Sequence, residues 1–263
     1  MMLNLYDAFG KEENGAMCEW GLSIYAEFRG KKIVFDSGGS AVIFEKNAKA
    51  LSFDLTKVDI GVLSHDHWDH SSGFSHLVNV NPAVHLFMPD DIALGGEEFQ
   101  EHKKKYRIGY RYPQIDTDLI AESTQIAKGI HLIATRSVLT GVFSKYPKSH
   151  LDSEEFKGIP ELSLALEAED GSITLLVGCS HSGIENILKA AKKYFNRNIN
   201  RVVGGLHLLP YDEKYIKNLV TQLKDEYGVC FVNASHCTGD VAQQLLKKSF
   251  GKNYSAFGLG DRF

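Results

Sequence analysis

Three histidines and two aspartates crowd into residues 63–73, LSHDHWDHSSG. In extended chain, positions i and i+2 point the same way, so His65 and His67 can offer two imidazoles to one ion while Asp66 points elsewhere. Where the chain then bends towards a helix, Asp69 and His70 become neighbours and can offer a carboxylate and a third imidazole to a second ion close by. Nitrogen and carboxylate donors of this kind suit zinc first, with manganese and iron(II) as competitors. A lone histidine is usually a packing or surface residue. Three within six residues, beside an aspartate, point to metal.

The elements around the cluster fit that placement. Val58, Ile60, Val62 and Leu63 form an apolar, β-branched run, so the cluster sits at the C-terminal end of a buried strand, where open α/β sheets place their chemistry. Residues 22–28 and 32–36 read as two strands joined at Arg29-Gly30-Lys31, so the chain opens with a hairpin. A helical pattern covers residues 41–51, and AVHLFMP is a further short strand. ITLLVGCS, RVVGGLHL and VCFVNASH are three apolar strands, separated by helical patterns at 184–195 and 213–227. A hairpin-rich first half and strand–helix–strand alternation in the second favour mixed sheets with helices on their outer faces.

Composition narrows the function classes. The 263 residues, 43% hydrophobic and 24% charged with a net charge of −4, describe an ordinary globular chain without the basic excess expected of a nucleic-acid binder. No stretch approaches the roughly 20 apolar residues of a membrane span, and the N-terminus lacks a signal-peptide pattern, so the expected location is cytoplasmic. Cys18, Cys179, Cys230 and Cys237 are too few and too irregularly spaced for a disulfide framework, and read as reduced, small buried residues. No Gly-x-Ser-x-Gly elbow or phosphate-binding Gly-rich loop is present, which removes serine-hydrolase and nucleotide-driven readings.

His65-x-His67-x-Asp69-His70 resembles the signature of the metallo-β-lactamase superfamily, and the preceding IVFDSG resembles its early Asp-x-Gly strand. EWGLS, GCSHSGI and HCTG are similar to one branch, the metal-dependent hydrolases whose archaeal members are known as dihydropterin ribofuranosyl-aminobenzene phosphate synthases. The resemblance covers nearly the whole chain. It implies an α/β, four-layer αββα sandwich of two mixed sheets, built as a single domain over 1–263 with halves of roughly 1–125 and 126–263. It implies two divalent ions where the sheets meet, a supporting role for Asp36, and further ligands from the C-terminal half. By position, His181 goes with His65 and His67, and His207 goes with Asp69 and His70.

The departures from the pattern leave alternatives open. Gly178-Cys179 stands where a bridging aspartate is usual, so Cys179 is a thiolate ligand or a buried neutral thiol. The usual third histidine is absent and Glu161 lies nearby, as a ligand, a supporting partner or a strand-end carboxylate. His236 follows the last apolar strand and is a candidate for protonating a leaving group, with Thr238 close enough to touch substrate. Against that, Thr238 or Asp240 would cap the helix beginning at VAQQLLKK. Lys105 and Arg107, within EHKKKYRIGYRYP, are cations among aromatics that could hold a phosphate, or simply a solvated face.

The expected activity is hydrolysis of an ester, a phosphoric ester or diester of a small molecule in particular. Asp69 orients water, and the ions lower the pKa of bound water from about 15.7 towards about 7. A metal-bound sensor with little turnover and a di-iron oxidoreductase are the alternatives. On this reading, His67→Ala or His207→Ala depletes metal, whereas His236→Ala spares metal and lowers turnover.

Overall fold

The computed structural model describes residues 1–90, 115–136 and 159–263. Its first sheet has the order β1 (Met2–Tyr6), β2 (Ser23–Phe28), β3 (Lys31–Phe35), β4 (Ile60–Val62), β5 (His85–Pro89), β6 (Thr117–Ile120). The second sheet begins with β7 (Thr124–Ala127), β8 (Ile130–Arg136), β9 (Pro160–Glu167) and β10 (Ile173–Val177), and continues through β11 (Arg201–Gly205), β12 (Phe231–Ser235) and β13 (Tyr254–Ala256). Each sheet is antiparallel in its first strands and parallel thereafter: β1–β2–β3 and β7–β8–β9–β10 are antiparallel, while β3–β4–β5–β6 and β10–β11–β12–β13 are parallel. The contrast between a hairpin-rich first half and an alternating second half is therefore corrected. Both halves combine the two patterns, and β1 joins the opening hairpin as a third strand.

Strand alternation builds the layers. Ile24, Ala26, Ile33 and Phe35 point inward against Leu162, Leu164, Leu176 and Val203 of the other sheet. Their neighbours Tyr25 and Val34 point outward, onto the helices α1 (Ala41–Ala50) and α3 (Phe74–Val80). The short helix α2 (Trp68–Ser71) lies between these two. On the opposite face, Leu175, Val177, Val202 and Val232 meet α4 (Ile184–Phe195), α5 (Glu213–Asp225) and α6 (Asp240–Phe250). The result is the αββα sandwich of two mixed sheets. No helix among the described residues is long and apolar enough to cross a membrane.

Helix starts follow side-chain chemistry in two cases and backbone geometry in a third. Ser40 accepts from Ile43 N at the start of α1, and Asp212 accepts from Tyr215 N at the start of α5. At α6 the cap is Gly239, with φ of 82° and no side-chain cap bond, so neither Thr238 nor Asp240 plays the expected capping part. The chain end crosses back to the first sheet: Met2 N donates to Phe263 O at 2.7 Å and Asn4 N to Asp261 O at 3.0 Å.

Candidate metal centre

Five strands end at one point. Asp36 follows β3, His65 follows β4, Cys179 and His181 follow β10, His207 follows β11 and His236 follows β12. Asp36, His207 and His236 all have φ between 47° and 59°, a left-handed conformation that costs a non-glycine residue about 1–3 kcal/mol and concentrates at functional sites.

The first cluster is His65, His67 and His181, whose ligating atoms lie within 4.8 Å of one another. His65 Nε2 is 3.1 Å from His67 Nδ1 and 3.1 Å from His181 Nε2. Burial, followed by the neighbouring imidazoles, lowers the pKa of His65 and His181 well below the usual histidine value. Burial lowers His67 to about 4. Near neutral pH the three rings are uncharged and have lone pairs to offer a cation.

Asp36 sets the tautomers. Ser64 Oγ donates to Asp36 Oδ2 at 2.7 Å and Ser64 N donates to Oδ1 at 2.7 Å. With the Ser64 proton used in this way, the 2.8 Å contact between Ser64 Oγ and His65 Nδ1 takes its proton from His65, leaving Nε2 as the ligating atom. His70 Nδ1 donates to Asp36 Oδ2 at 2.7 Å, which directs His70 Nε2 into the pocket in the same way. Asp36 is thus a supporting residue. Gly178 makes room for it, since a Cβ there would lie 2.2 Å from Ser64 Oγ and 3.1 Å from Asp36 Oδ2.

The second cluster is Asp69, His70 and His236. Asp69 Oδ2 lies 3.7 Å from His70 Nε2 and 3.4 Å from His236 Nε2. Burial disfavours the Asp69 anion, but His70 and His236 outweigh it and hold the carboxyl below its ordinary range. Burial lowers the His70 pKa, yet the Asp36 and Asp69 carboxylates prevail and push it up to about 9. Both imidazole nitrogens of His236 are buried without a hydrogen-bond partner among the described residues. Orphaned donors and acceptors of this kind cost about 1–3 kcal/mol each. A cation bound to His236 and Asp69 would relieve that cost, so the residues fit a metal.

The structure groups these side chains differently from the assignment made by position. His236, not His207, joins Asp69 and His70. β11 lies beside β10, so His207 falls next to His181, with ring centroids 4.5 Å apart, and groups with Cys179 and His181. β12 lies one strand further out, where its end meets Asp69. Thr238 is fully buried, donating to Ser235 O at 2.7 Å and accepting from Leu206 N at 3.2 Å, so its hydroxyl holds the loop. Lys105 and Arg107 lie outside the described residues.

Cys179 Sγ is 3.1 Å from His70 Nε2 and belongs to three of the candidate ligand groups. Burial, then Cys237, pushes its thiol pKa up. Cys237, read from sequence as packing, also enters the site beside Cys179 and His236. Burial raises its pKa, but Cys179, His236 and His207 outweigh that and lower it. Asp7, another residue the sequence did not flag, accepts His236 N–H on both oxygens at 3.2 Å. Burial pushes its carboxyl up to about 7.

Glu161 is a supporting residue. Its carboxylate accepts from His181 N and Ser182 N, both at 3.0 Å, and so shapes the loop that aims His181. Glu161→Ala leaves two buried amides without an acceptor and is expected to destabilise the metal-free protein by about 2–5 kcal/mol in urea unfolding. An unchanged midpoint would mean that these amides find another partner.

Four similarities bear on this architecture. The family model of the metallo-beta-lactamase superfamily matches residues 21–148. Among curated proteins of Methanocaldococcus jannaschii, the 7,8-dihydropterin-6-methyl-4-(beta-D-ribofuranosyl)-aminobenzene-5'-phosphate synthase is 26% identical, covering 88% of this chain and 83% of that protein. An uncharacterized protein of the same organism is also 26% identical, covering 87% of each. A solved metal-dependent hydrolase of the beta-lactamase superfamily superposes with a TM-score of 0.72 at 26% identity, covering 99% of this chain and 96% of that one. With two mixed sheets between helices and the histidine motif at the ends of their strands, the chain shares the fold of that metal-dependent hydrolase and is similar to the metallo-β-lactamase superfamily over residues 21–148.

Proposed function

We propose that the protein is a hydrolase that holds two divalent ions and cleaves a phosphoric ester or diester of a small molecule. The observation that carries this reading is the pair of ligand triads in one buried pocket, His65–His67–His181 and Asp69–His70–His236. Zinc suits this mixture of imidazole, carboxylate and nearby thiols, with manganese and iron(II) as competitors. When bound, such ions supply Lewis-acid activation of water and of the substrate oxygen.

The chain's own residues prepare for that chemistry. Ser64, held by Asp36, keeps His65 Nε2 unprotonated, Asp36 aims His70 Nε2 inward, and Glu161 fixes the loop carrying His181. Asp69 brings negative charge to the second triad. A cavity of about 150 Å³ is lined by Asp90, Thr135, Arg136, Pro160, Glu161 and Leu162, so it shares Glu161 with the metal centre. Arg136 offers a guanidinium to an anionic group there. The relative named as a 5'-phosphate synthase supports a phosphorylated small molecule as substrate, and the structural neighbour named as a metal-dependent hydrolase supports hydrolysis as the reaction.

Elemental mass spectrometry on protein purified without added metal, paired with aryl phosphodiester, phosphomonoester and thioester hydrolysis before and after chelation, tests this. About two ions per chain and chelator-sensitive phosphodiester cleavage are expected. One ion or none, with no turnover restored by any divalent metal, would instead favour a metal-bound sensor.

A further inference from the structure

Trp20 is one of only two tryptophans in the chain and is 41% exposed. A single exposed aromatic ring needs no explanation in itself. What calls for one is its hydrogen bond, because Trp20 Nε1 donates to Asp69 Oδ2 at 2.8 Å. The same oxygen lies 3.7 Å from His70 Nε2 and 3.4 Å from His236 Nε2. The indole face packs against the His236 ring, with centroids 4.7 Å apart and planes tilted by 49°. One side chain therefore touches two of the three members of the second triad.

The backbone around Trp20 is locked to the same place. Leu22 N donates to Asp69 O at 3.1 Å, and Glu19 N donates to the carbonyl of Asp7, whose carboxylate holds His236 N. Gly21, at φ of 146°, lets the chain pass: a Cβ there would lie 2.6 Å from Asp69 O and 2.8 Å from Gly39 N. Tyr6 OH donates to Glu19, tying the segment to β1.

We propose that Trp20 is a positioning residue for the second ion, holding Asp69 by hydrogen bond and His236 by ring contact in their ligating orientation. The chemistry of the donor supports this. An indole has one N–H and no charge, so it fixes the carboxylate's rotamer without neutralising it. A lysine or arginine at the same point would compete with the cation for the negative charge. Hydrogen-bond partners behind a metal ligand are typically worth about 10- to 100-fold in metal affinity.

This inference rests on the two-ion reading above. Zinc dissociation constants, measured by competition with a chromophoric chelator, are compared for wild type, Trp20→Phe and Trp68→Phe. Trp20→Phe keeps an aromatic ring beside His236 and loses the N–H. It is expected to weaken the second ion by about 10- to 100-fold and leave the first ion unchanged, which also shows that the variant is folded. Trp68→Phe alters the other exposed indole, 58% accessible, and is expected to retain both ions. Wild-type affinities in Trp20→Phe overturn the proposal, and equal loss of both ions does so too, by marking Trp20 as general support for the loop. Fewer than two ions in wild type would instead overturn the two-ion reading, and this proposal with it.

Discussion

His236→Ala is expected to release the second metal ion while the first remains, with turnover falling in step. The expectation reverses the one drawn from sequence, where His236 is a proton donor whose removal spares metal. The reason is geometric. Its two buried nitrogens have no hydrogen-bond partner among the described residues, and Nε2 points to Asp69 Oδ2 at 3.4 Å. The surrounding chain spends free energy on this orientation through the left-handed φ of 47° and the buried Asp7 carboxylate beneath the His236 amide. Because partners behind a ligand are worth about 10- to 100-fold in affinity, loss of the ligand itself should cost at least about 100-fold. Elemental mass spectrometry after dialysis against trace metal reads the result directly. Two retained ions with depressed turnover would return His236 to the role of proton donor.

The parts of the site that were legible in sequence are those fixed by local spacing. The i, i+2 relation of His65 and His67 and the adjacency of Asp69 and His70 depend on a few dihedral angles, and the structure groups each pair as that spacing suggests. The helix expected at 184–195 is α4, because its apolar stripe is strong enough to read in isolation and Gly183 opens it. The pairing of His236 with Asp69 is different in kind. It depends on β12 lying one strand beyond β11, and no property of residues 231–239 records which strand will be its neighbour. Asp7 went unread for the same reason, and Trp20 and Cys237 stand out only as members of the EWGLS and HCTG stretches, with no part in the site assigned to them. Each acquires its partners from residues far away in the chain, 229 positions away in the contact of Asp7 with His236.

The two ions should also respond differently to pH. In the metal-free protein His70 titrates near 9, because Asp36 and Asp69 stabilise the imidazolium against the cost of burial. At pH 7 an arriving ion must therefore displace the proton on His70 Nε2, while Nδ1–H stays on Asp36. Affinity for the second ion is expected to rise about tenfold per pH unit and to level off near pH 9. His67, lowered to about 4 by burial, presents no proton to displace above about pH 5, and His65 and His181 are shifted in the same direction. First-ion affinity should be flat across the same range. Stability follows from the same sign. A histidine pKa raised on folding contributes stability that is complete below its unfolded value, about 6.5, and lost as pH rises through about 9. Chelated protein should accordingly lose on the order of 3 kcal/mol between those limits, whereas loaded protein, in which the ion has replaced the proton, should not. Chelator competition and urea midpoints at pH 6, 7, 8 and 9 check both statements. Parallel pH slopes for the two ions would show that one shared proton, rather than His70, controls loading of the whole pocket.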